Sequence, residues 1–490
     1  MAFKAALNNL CRRQFLRGLL GFFGALFAFS SPRKTSALAS GEKMIGRTHA
    51  DYEALRKGLV WQRVKPARRP EVIVQANSVD AVVNAVNHAR NHGLKVIAKS
   101  GGHSIPASFL RNDGMLIDLL GLREVTVNRD NLTATAGPGT WGPTLLQALE
   151  AHDMGFPVAR GGSVSIGGFL LGGGLGFNPN TWGIACFSVI GADVVTATGE
   201  MLTVNARQHP DIYWAVRGAG PGFFGVVTQY YLRAYPLPGA ITTSQYIHPL
   251  DNHAEVAAAL EELVPNSDHR LELILLLTGN PDQQAVAAGA PEQVCIVNVV
   301  AYGTDEADAR ALLEPVANSG LGRKPLQKTE YEPSDLKILT GATGESFPHG
   351  RMATEGVWSN SIAPVIATLS ERLRQAVTPV TTVSIRFIGN TRLPEDAAFS
   401  LIGSTNILSV LTWQDASDDN RVAGWLRDTM AALEPFSLGH YINNEDVVSY
   451  PERNQHSFTP DSWSRLRALR RQYDPDDLFH DYFGTGTAEN

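Results

Sequence analysis

The first regular pattern along the chain is strand, helix, strand. Residues 71–74 form a β-branched run, and the apolar positions between 79 and 89 recur at the spacing of one helix face. Ser78 can cap the start of this helix, and Gly93 is suited to end it. An apolar run at 94–98 then returns as a strand. This order predicts two strands joined by a helix.

Further segments alternate between short strands and amphipathic helices. A Pro-Leu-Pro-Gly stretch at 236–239 breaks the pattern and indicates a boundary between two regions, which is consistent with a length of 490 residues. The whole pattern predicts a mixed α+β protein. The other predicted strands lie at 115–119, 125–127, 132–136, 190–200 (a hairpin), 224–232, 271–277, 293–302 and 381–388, and the other helices at 254–263, 306–317 and 422–433.

The first 39 residues are typical of an export signal. Arg12 and Arg13 form a twin-arginine pair, Leu19–Phe29 is apolar, and Ala37-Leu38-Ala39 is a cleavage signal. The apolar run has 11 residues, fewer than the roughly 20 that span a bilayer. An uncleaved anchor is the alternative. We therefore expect a periplasmic or secreted protein, exported by the twin-arginine route, without membrane contact after cleavage.

Removal of this signal makes the protein more acidic. It leaves 36 basic and 48 acidic residues, a formal net charge of about −12, against −6 for the whole sequence. An acidic surface argues against nucleic acid or anionic lipid as a partner and favours small neutral or cationic substrates. The content of 44% hydrophobic and 18% charged residues is typical of a soluble globular enzyme.

Two cysteines follow the signal, Cys186 and Cys295. They could pair in an oxidising compartment, although two buried free thiols are the simpler interpretation. No Cys-x-x-Cys or His-x-x-x-His spacing predicts a metal, so we expect no metal site.

Two glycine-rich segments are the candidates for ligand binding. The first, Ala98–Ser104 (Ala-Lys-Ser-Gly-Gly-His-Ser), follows a predicted strand and can form a main-chain anion nest for a pyrophosphate, with His103 beside it. Alone, such a segment is more often a plain turn with a solvated histidine. The second segment is Arg160–Gly176. Rossmann loops at 172–176 and 218–222 are the competing interpretation, but neither lies between a strand and a helix with a suitably spaced acidic residue.

Together these segments resemble the covalent flavin oxidoreductases of the vanillyl-alcohol-oxidase type, in particular the berberine-bridge-enzyme-like branch. The resemblance implies a PCMH-type FAD-binding domain of two α/β subdomains at 66–236. A substrate domain at 237–440, with an antiparallel sheet backed by helices, would follow, and residues 441–490 would return to the FAD domain. FAD is the implied cofactor, with His103 bonded to the flavin 8α-methyl carbon. Gly161 stands where some members carry a second, cysteine tether, so a single covalent link is expected.

The resemblance also implies the other cofactor contacts. Val164 matches a position that governs oxygen access, and because small residues there accompany oxidases, O₂ is the expected acceptor. The implied contacts are Lys99, Ser100, Gly101, Gly102, Ser104, Pro138, Gly161, Gly162, Ser163, Val164, Gly167, Gly168, Gly173, Gly174, Gly225, Val226 and Asn443.

The sequence Tyr441-Ile-Asn-Asn-Glu-Asp resembles the family's Tyr-x-Asn-Tyr-x-Asp motif. By resemblance Tyr441 is the candidate catalytic base, for which its phenol, with an ordinary pKa near 10, needs a partner that lowers the pKa. Leu175 and Asn444 stand where the family often carries further tyrosines, so the usual pair is absent. A packing role for Tyr441 is the alternative.

The predicted function is oxidation of an alcohol or hemiacetal carbon in a small or sugar-like molecule. Hydride would pass to flavin N5, and O₂ would reoxidise the flavin and give H₂O₂. Two alternatives stay open: a periplasmic FAD-dependent dehydrogenase with another electron acceptor, and a flavin-holding protein without turnover.

Overall fold

The computed structural model describes residues 43–345, 350–378, 380–389 and 396–485. The export signal predicted at 1–39 lies outside the described residues. Within the described ranges, no helix combines the length and the apolar character needed to cross a bilayer. The described strands form three larger sheets and a two-stranded ribbon.

The first sheet has the strand order β1-β2-β4-β3, in which β2, β4 and β3 run parallel and β1 is antiparallel. Helix α2 connects β2 to β3 as the sequence predicts, because Ser78 Oγ accepts the N–H of Ala81 at 3.1 Å and the helix buries its apolar face on the sheet. The elements are β1 (Met44–Gly46), α1 (Tyr52–Gly58), β2 (Val72–Gln75), α2 (Val79–Asn91), β3 (Val96–Lys99) and β4 (Met115–Asp118).

The second sheet is antiparallel, with the order β5-β6-β10-β8-β9. The predicted hairpin is the β8–β9 pair, which extends five residues beyond the predicted end at 200. The elements of this region are β5 (Val125–Asn128), β6 (Thr133–Ala136), α3 (Gly142–Glu150), β7 (Met154–Gly155), α4 (Ile166–Leu171), α5 (Pro179–Trp182), β8 (Val189–Val195), β9 (Met201–Asn205), α6 (Pro210–Val216), β10 (Val226–Arg233) and β11 (Tyr235–Pro236), where β7 and β11 form the ribbon.

The third sheet has eight antiparallel strands in the order β15-β12-β14-β13-β17-β18-β16-β19. Helices back one of its faces. The elements are β12 (Ala240–Pro249), α7 (His253–Leu263), β13 (Leu271–Gly279), α8 (Gln283–Ala287), β14 (Gln293–Gly303), α9 (Glu306–Ala317), β15 (Gln327–Ser334), α10 (Leu336–Glu345), β16 (Arg351–Ser359), α11 (Ala363–Arg374), β17 (Val380–Phe387), β18 (Thr405–Trp413), α12 (Asp419–Leu433) and β19 (Ser437–Gly439).

Alternation along these strands divides the third sheet into two different faces. Residues such as Leu275, Val297 and Ile385 pack with apolar side chains of α7, α9, α11 and α12 in one core. Their neighbours along each strand point to the opposite face, which lines a cavity. The predicted α+β class is therefore confirmed.

The chain after the third sheet returns to the first one. Helix α13 (Pro460–Tyr473) ends beside Asp474, whose carboxylate accepts the N–H groups of Leu478 and Phe479 at 2.7 and 2.9 Å. Phe479 then forms a parallel bridge with Val96 of β3. The tail thereby adds to the edge of the sheet that carries the first glycine-rich segment.

Cys186 and Cys295 are free and buried, as the simpler interpretation of the sequence expects. They lie in different apolar clusters, and burial raises the pKa of the Cys295 thiol to about 12. Both thiols are therefore protonated packing residues at neutral pH.

Candidate active site

A cavity of about 1120 Å³ lies between the glycine-rich segments and the third sheet. This volume exceeds the roughly 300–1,000 Å³ of a single small-molecule pocket, so two ligands can share it. We call residues 98–104, Pro138 and 161–168 the glycine wall. The sheet wall is the set of side chains that β12–β14 and β16–β18 present to the same cavity, including Gln245, Ile274, Leu276, Thr278, Asn298, Met352, Thr354, Thr382, Ser384, Arg386, Leu408 and Val410.

The glycine wall is shaped by main chain. Gly102 has φ +78°, and a Cβ there would lie 2.1 Å from the carbonyl oxygen of Leu59. Among the described residues, no acceptor binds the N–H groups of Gly101, Gly102 and His103. Buried Ser165 Oγ, on the same wall, also has no partner in the described structure. These donors suit the oxygens of a pyrophosphate.

His103 is held in a defined orientation. Its Nε2 lies 2.9 Å from Ser163 Oγ, and its ring stacks on Trp61 with 4.4 Å between the ring centroids. Burial lowers the pKa of His103 to about 4, against the weaker opposing effect of the Ser163 contact. The imidazole is therefore neutral at neutral pH and keeps a nucleophilic lone pair. The sequence analysis did not identify Trp61, which lies in an irregular segment without periodicity.

Side chains join the two glycine-rich segments below this surface. The Ser100 hydroxyl accepts the N–H of Gly168 at 3.0 Å. Lys99 Nζ lies 3.0 Å from the Asp118 carboxylate, and both side chains are buried. The positive charge of Lys99 is thus neutralised within the protein. The glycine wall offers main-chain donors, space where glycines lack a Cβ atom, and a neutral histidine. These features fit a flavin dinucleotide.

Three predicted cofactor contacts do not line the cavity: Gly173, Gly174 and Val226. Gly173 faces Phe399, whose ring would lie 2.6 Å from an added Cβ. Val226 packs into the core of the first sheet, and the alternation of β10 places Val227 on the cavity side instead. The other predicted residues, including Ser104 and Gly225, lie along the lining.

Tyr441 is fixed by hydrogen bonds to its hydroxyl oxygen. The oxygen accepts the main-chain N–H groups of Gly174 and Leu175 at 2.9 and 3.1 Å. Asn443 Nδ2 adds a third contact at 3.3 Å. Burial nevertheless raises the pKa of Tyr441, because desolvation outweighs these donors. Gly174 thus positions Tyr441 rather than the cofactor.

Two arginines, Arg160 and Arg386, line the cavity. Arg160 pairs with Glu272, a buried residue of β13 that also accepts a hydrogen bond from the Tyr302 hydroxyl at 2.8 Å. Burial, with the nearby charge of Arg386, lowers the pKa of Arg160 to about 9. Arg386 projects from β17, and burial lowers its pKa as well. Neither arginine was predicted to be a site residue.

A buried cluster of charges holds the Tyr441 segment against β16. Glu445 accepts the Gly356 N–H at 2.9 Å and lies 3.1 Å from His440 Nδ1, while Arg453 bridges Glu445 and Glu355. Burial raises the pKa of Glu445 to about 7, and burial together with the charge of Glu445 raises that of Glu355 to about 9. Glu355 is therefore protonated at neutral pH.

Comparison with known proteins agrees with this site. Residues 70–205 match the family model described as an FAD binding domain. The chain is 27% identical over 428 residues to the FAD-linked oxidoreductase nodO of Hypoxylon pulicicidum, an alignment that covers 87% of this chain and 93% of the relative. The chain therefore contains an FAD-binding domain and is similar over most of its length to proteins named FAD-linked oxidoreductases.

Two further proteins are similar to this chain. It is 26% identical over 442 residues to (R)-6-hydroxynicotine oxidase of Paenarthrobacter nicotinovorans, covering 85% of this chain and 91% of that one. The solved xylooligosaccharide oxidase of Myceliophthora thermophila C1 superimposes with a TM-score of 0.77 at 19% identity, covering 91% of this chain and 97% of that one. The fold is that of the berberine-bridge-enzyme-like proteins, so the predicted resemblance, the FAD cofactor and the enzyme class are confirmed.

Proposed function

We propose that this protein oxidises an alcohol or hemiacetal carbon of a small, hydroxyl-rich molecule and uses O₂ as the acceptor. The observation that carries the proposal is the cavity, in which a sheet wall of hydroxyl and amide side chains faces the glycine wall. Such groups hydrogen-bond the hydroxyls of a polar substrate. The relatives named as oxidases of 6-hydroxynicotine and of xylooligosaccharide support a small-molecule oxidase.

Bound FAD would accept the substrate hydride at N5 and pass the electrons to O₂. In our proposal His103 carries the flavin through one covalent bond, which its neutral, oriented imidazole supports. Gly161 provides no second tether. Stacking on Trp61 keeps the imidazole from rotating.

Tyr441 Oη is the proposed proton acceptor for the substrate hydroxyl. The N–H groups of Gly174, Leu175 and Asn443 stabilise negative charge on this oxygen when its proton is lost. Because burial raises the pKa of Tyr441, its deprotonated form, which can accept a proton, is scarce at neutral pH. Turnover should therefore rise with pH through the alkaline range.

Anaerobic mixing of the yellow protein with sugars, aromatic alcohols and amines tests the proposal. We expect at least one alcohol or hemiacetal to reduce, and thereby bleach, the flavin at a rate at least as fast as turnover. Bleaching by amines alone would contradict an alcohol substrate. Failure of the whole panel would favour the flavin-holding alternative.

The acceptor is tested separately, by stoichiometric H₂O₂ release against turnover with an artificial acceptor. Val164 lies on the glycine wall, and we expect Val164→Leu to slow flavin reoxidation by O₂ while leaving anaerobic reduction unchanged. Efficient turnover only with the artificial acceptor would instead identify a dehydrogenase.

We also propose export through the twin-arginine signal at 1–39. Replacement of Arg12 and Arg13 by lysine should retain the flavin-loaded protein in the cytoplasm of a bacterial host, as measured by cell fractionation. Unchanged export of this variant would contradict the proposal.

A further inference from the structure

Arg386 is a cation on the sheet wall that lacks a partner. In the described structure no hydrogen bond or ion pair engages its guanidinium, and its Nε is buried. Burial lowers its pKa, the nearby Tyr441 hydroxyl opposes this effect, and no carboxylate of the described residues contributes to it. A partly buried cation without a counter-charge is costly unless an anion pairs with it.

The other cations of the cavity are already neutralised. Lys99 pairs with Asp118, and Arg160 pairs with Glu272. The carboxylate of Glu445 is held by Arg453 and His440 and by the Gly356 N–H. Arg386 is therefore the cation of the described lining that a ligand would have to satisfy.

The position of Arg386 favours the substrate as that ligand. Strand register places it between Ile274 of β13 and Asn406 of β18. Ser384 and Thr382 follow on the same face of β17 and also line the cavity. The unpartnered main-chain donors that suit a pyrophosphate lie on the glycine wall instead.

We propose that Arg386 binds a carboxylate of the substrate, so that the molecule oxidised is a hydroxylated acid, such as a sugar acid, rather than a neutral alcohol. This inference rests on the proposed function, because it assigns the substrate of the same cavity. Guanidinium forms two parallel hydrogen bonds with a carboxylate. The hydroxyls of Ser384 and Thr382 are placed to contact hydroxyl groups of the same molecule.

Equilibrium binding to the oxidised, flavin-loaded protein tests the proposal without requiring turnover. Flavin absorbance and calorimetry would give Kd for matched pairs: D-glucuronate and D-glucose, D-galacturonate and D-galactose, and (R)-mandelate and (R)-1-phenylethane-1,2-diol. We expect at least one acid to bind about 10- to 100-fold more tightly than its neutral partner, the range for a charge-assisted contact. Arg386→Gln should abolish this difference, and Arg386→Lys should retain part of it.

Arg427→Gln is the matched control, because Arg427 is an exposed arginine of α12. Thermal unfolding and flavin content identify a variant that fails to fold. If Arg386→Gln does not fold, the preference of the wild type for acids and its partial retention in Arg386→Lys test the proposal. The proposal is wrong if no acid is preferred by the wild type. It is also wrong if Arg386→Gln shifts the flavin reduction potential but leaves the preference for acids unchanged.

The same experiment separates this inference from the proposed function. Flavin reduction by neutral sugars without a preference for acids would support alcohol oxidation and overturn the carboxylate site. An acid that binds through Arg386 without ever reducing the flavin would support the carboxylate site and contradict the oxidation.

Discussion

The two walls of the cavity are built on different principles. The glycine wall presents main-chain N–H groups and one neutral histidine, and its shape depends on positions that exclude a Cβ atom. The sheet wall presents side chains, including Arg386 and a row of hydroxyls and amides. The backbone of the glycine wall would thus hold the cofactor, which many enzymes share. The substrate, which differs between enzymes, would meet side chains that mutation can replace.

The proposed acid substrate differs from the expectation drawn from overall charge. The acidic sequence favoured a neutral or cationic substrate, but the cavity contains an unpaired cation at Arg386. Buried local charges interact more strongly than distant, solvated surface charges. The inferred acid substrate therefore depends on the sheet wall rather than on net charge.

The largest expected effect tests the glycine wall. His103→Ala should abolish acid-stable flavin attachment, because the variant has no nucleophile at this position. Acid precipitation followed by absorbance of the pellet measures the bound flavin. His88→Ala, a change on α2 outside the cavity lining, should leave the pellet yellow. A yellow pellet from the His103 variant would show that another residue carries the flavin.

A change at Tyr441 should affect chemistry and not attachment. Tyr441→Phe is expected to lower the rate of anaerobic flavin reduction by about 10²- to 10⁴-fold, because the proton acceptor is lost while the ring remains. The variant should also lose the alkaline rise in rate. Rapid-mixing spectroscopy across pH 6–10 checks both effects, and an unchanged pH profile would reduce Tyr441 to a packing role.

Gly102→Ala tests whether backbone shape alone defines the glycine wall. Its Cβ would meet the Leu59 carbonyl oxygen at 2.1 Å in a conformation with φ +78°. We expect a loss of about 2–4 kcal/mol in the free energy of unfolding and poor flavin loading. Gly93→Ala has a similar φ of +66° in open space and controls for backbone strain. Equal losses in both variants would exclude a steric role for the Leu59 contact.

The smallest expected effect concerns the charges behind the sheet wall. The pKa of Glu355 is about 9 and that of Glu445 about 7 in the folded protein, above the ordinary 4.5. The folded state binds more protons, so stability falls as pH rises between 4.5 and 9. Glu355→Gln should reduce the fall between pH 7 and 9 by about 1–2 kcal/mol. Denaturant unfolding measures it, with exposed Glu200→Gln as the control, and an unchanged slope would contradict the raised pKa of Glu355.

The glycine wall was largely predictable because its signals are local. Residues 98–104 contain both the turn glycines and His103, so the motif identifies them together. Gly173 and Gly174 lie off the cavity lining, because the Gly174 N–H contacts the Tyr441 hydroxyl and Gly173 faces Phe399. No sequence motif or periodicity around Trp61 indicated a role in the site.

The sheet wall was not predictable beyond its strands. Alternation at 381–388 indicates a strand, and the structure has β17 there. Nothing in that segment shows that Arg386 will lie between Ile274 and Asn406, because this depends on the register of three strands far apart in sequence. The charge of the cavity therefore emerged only from tertiary pairing.

The bridge between Phe479 and Val96 has a consequence for biosynthesis. The N–H of Val96 donates to the carbonyl of Leu478, and the N–H of His480 donates to the carbonyl of Val96, each at 2.8 Å. A ribosome makes β3 long before it makes these partners, since the entire third sheet is translated in between. For most of its synthesis the nascent chain consequently leaves the outer edge of β3, beside residues 98–104, without its partner. This edge is paired only after translation has passed residue 480.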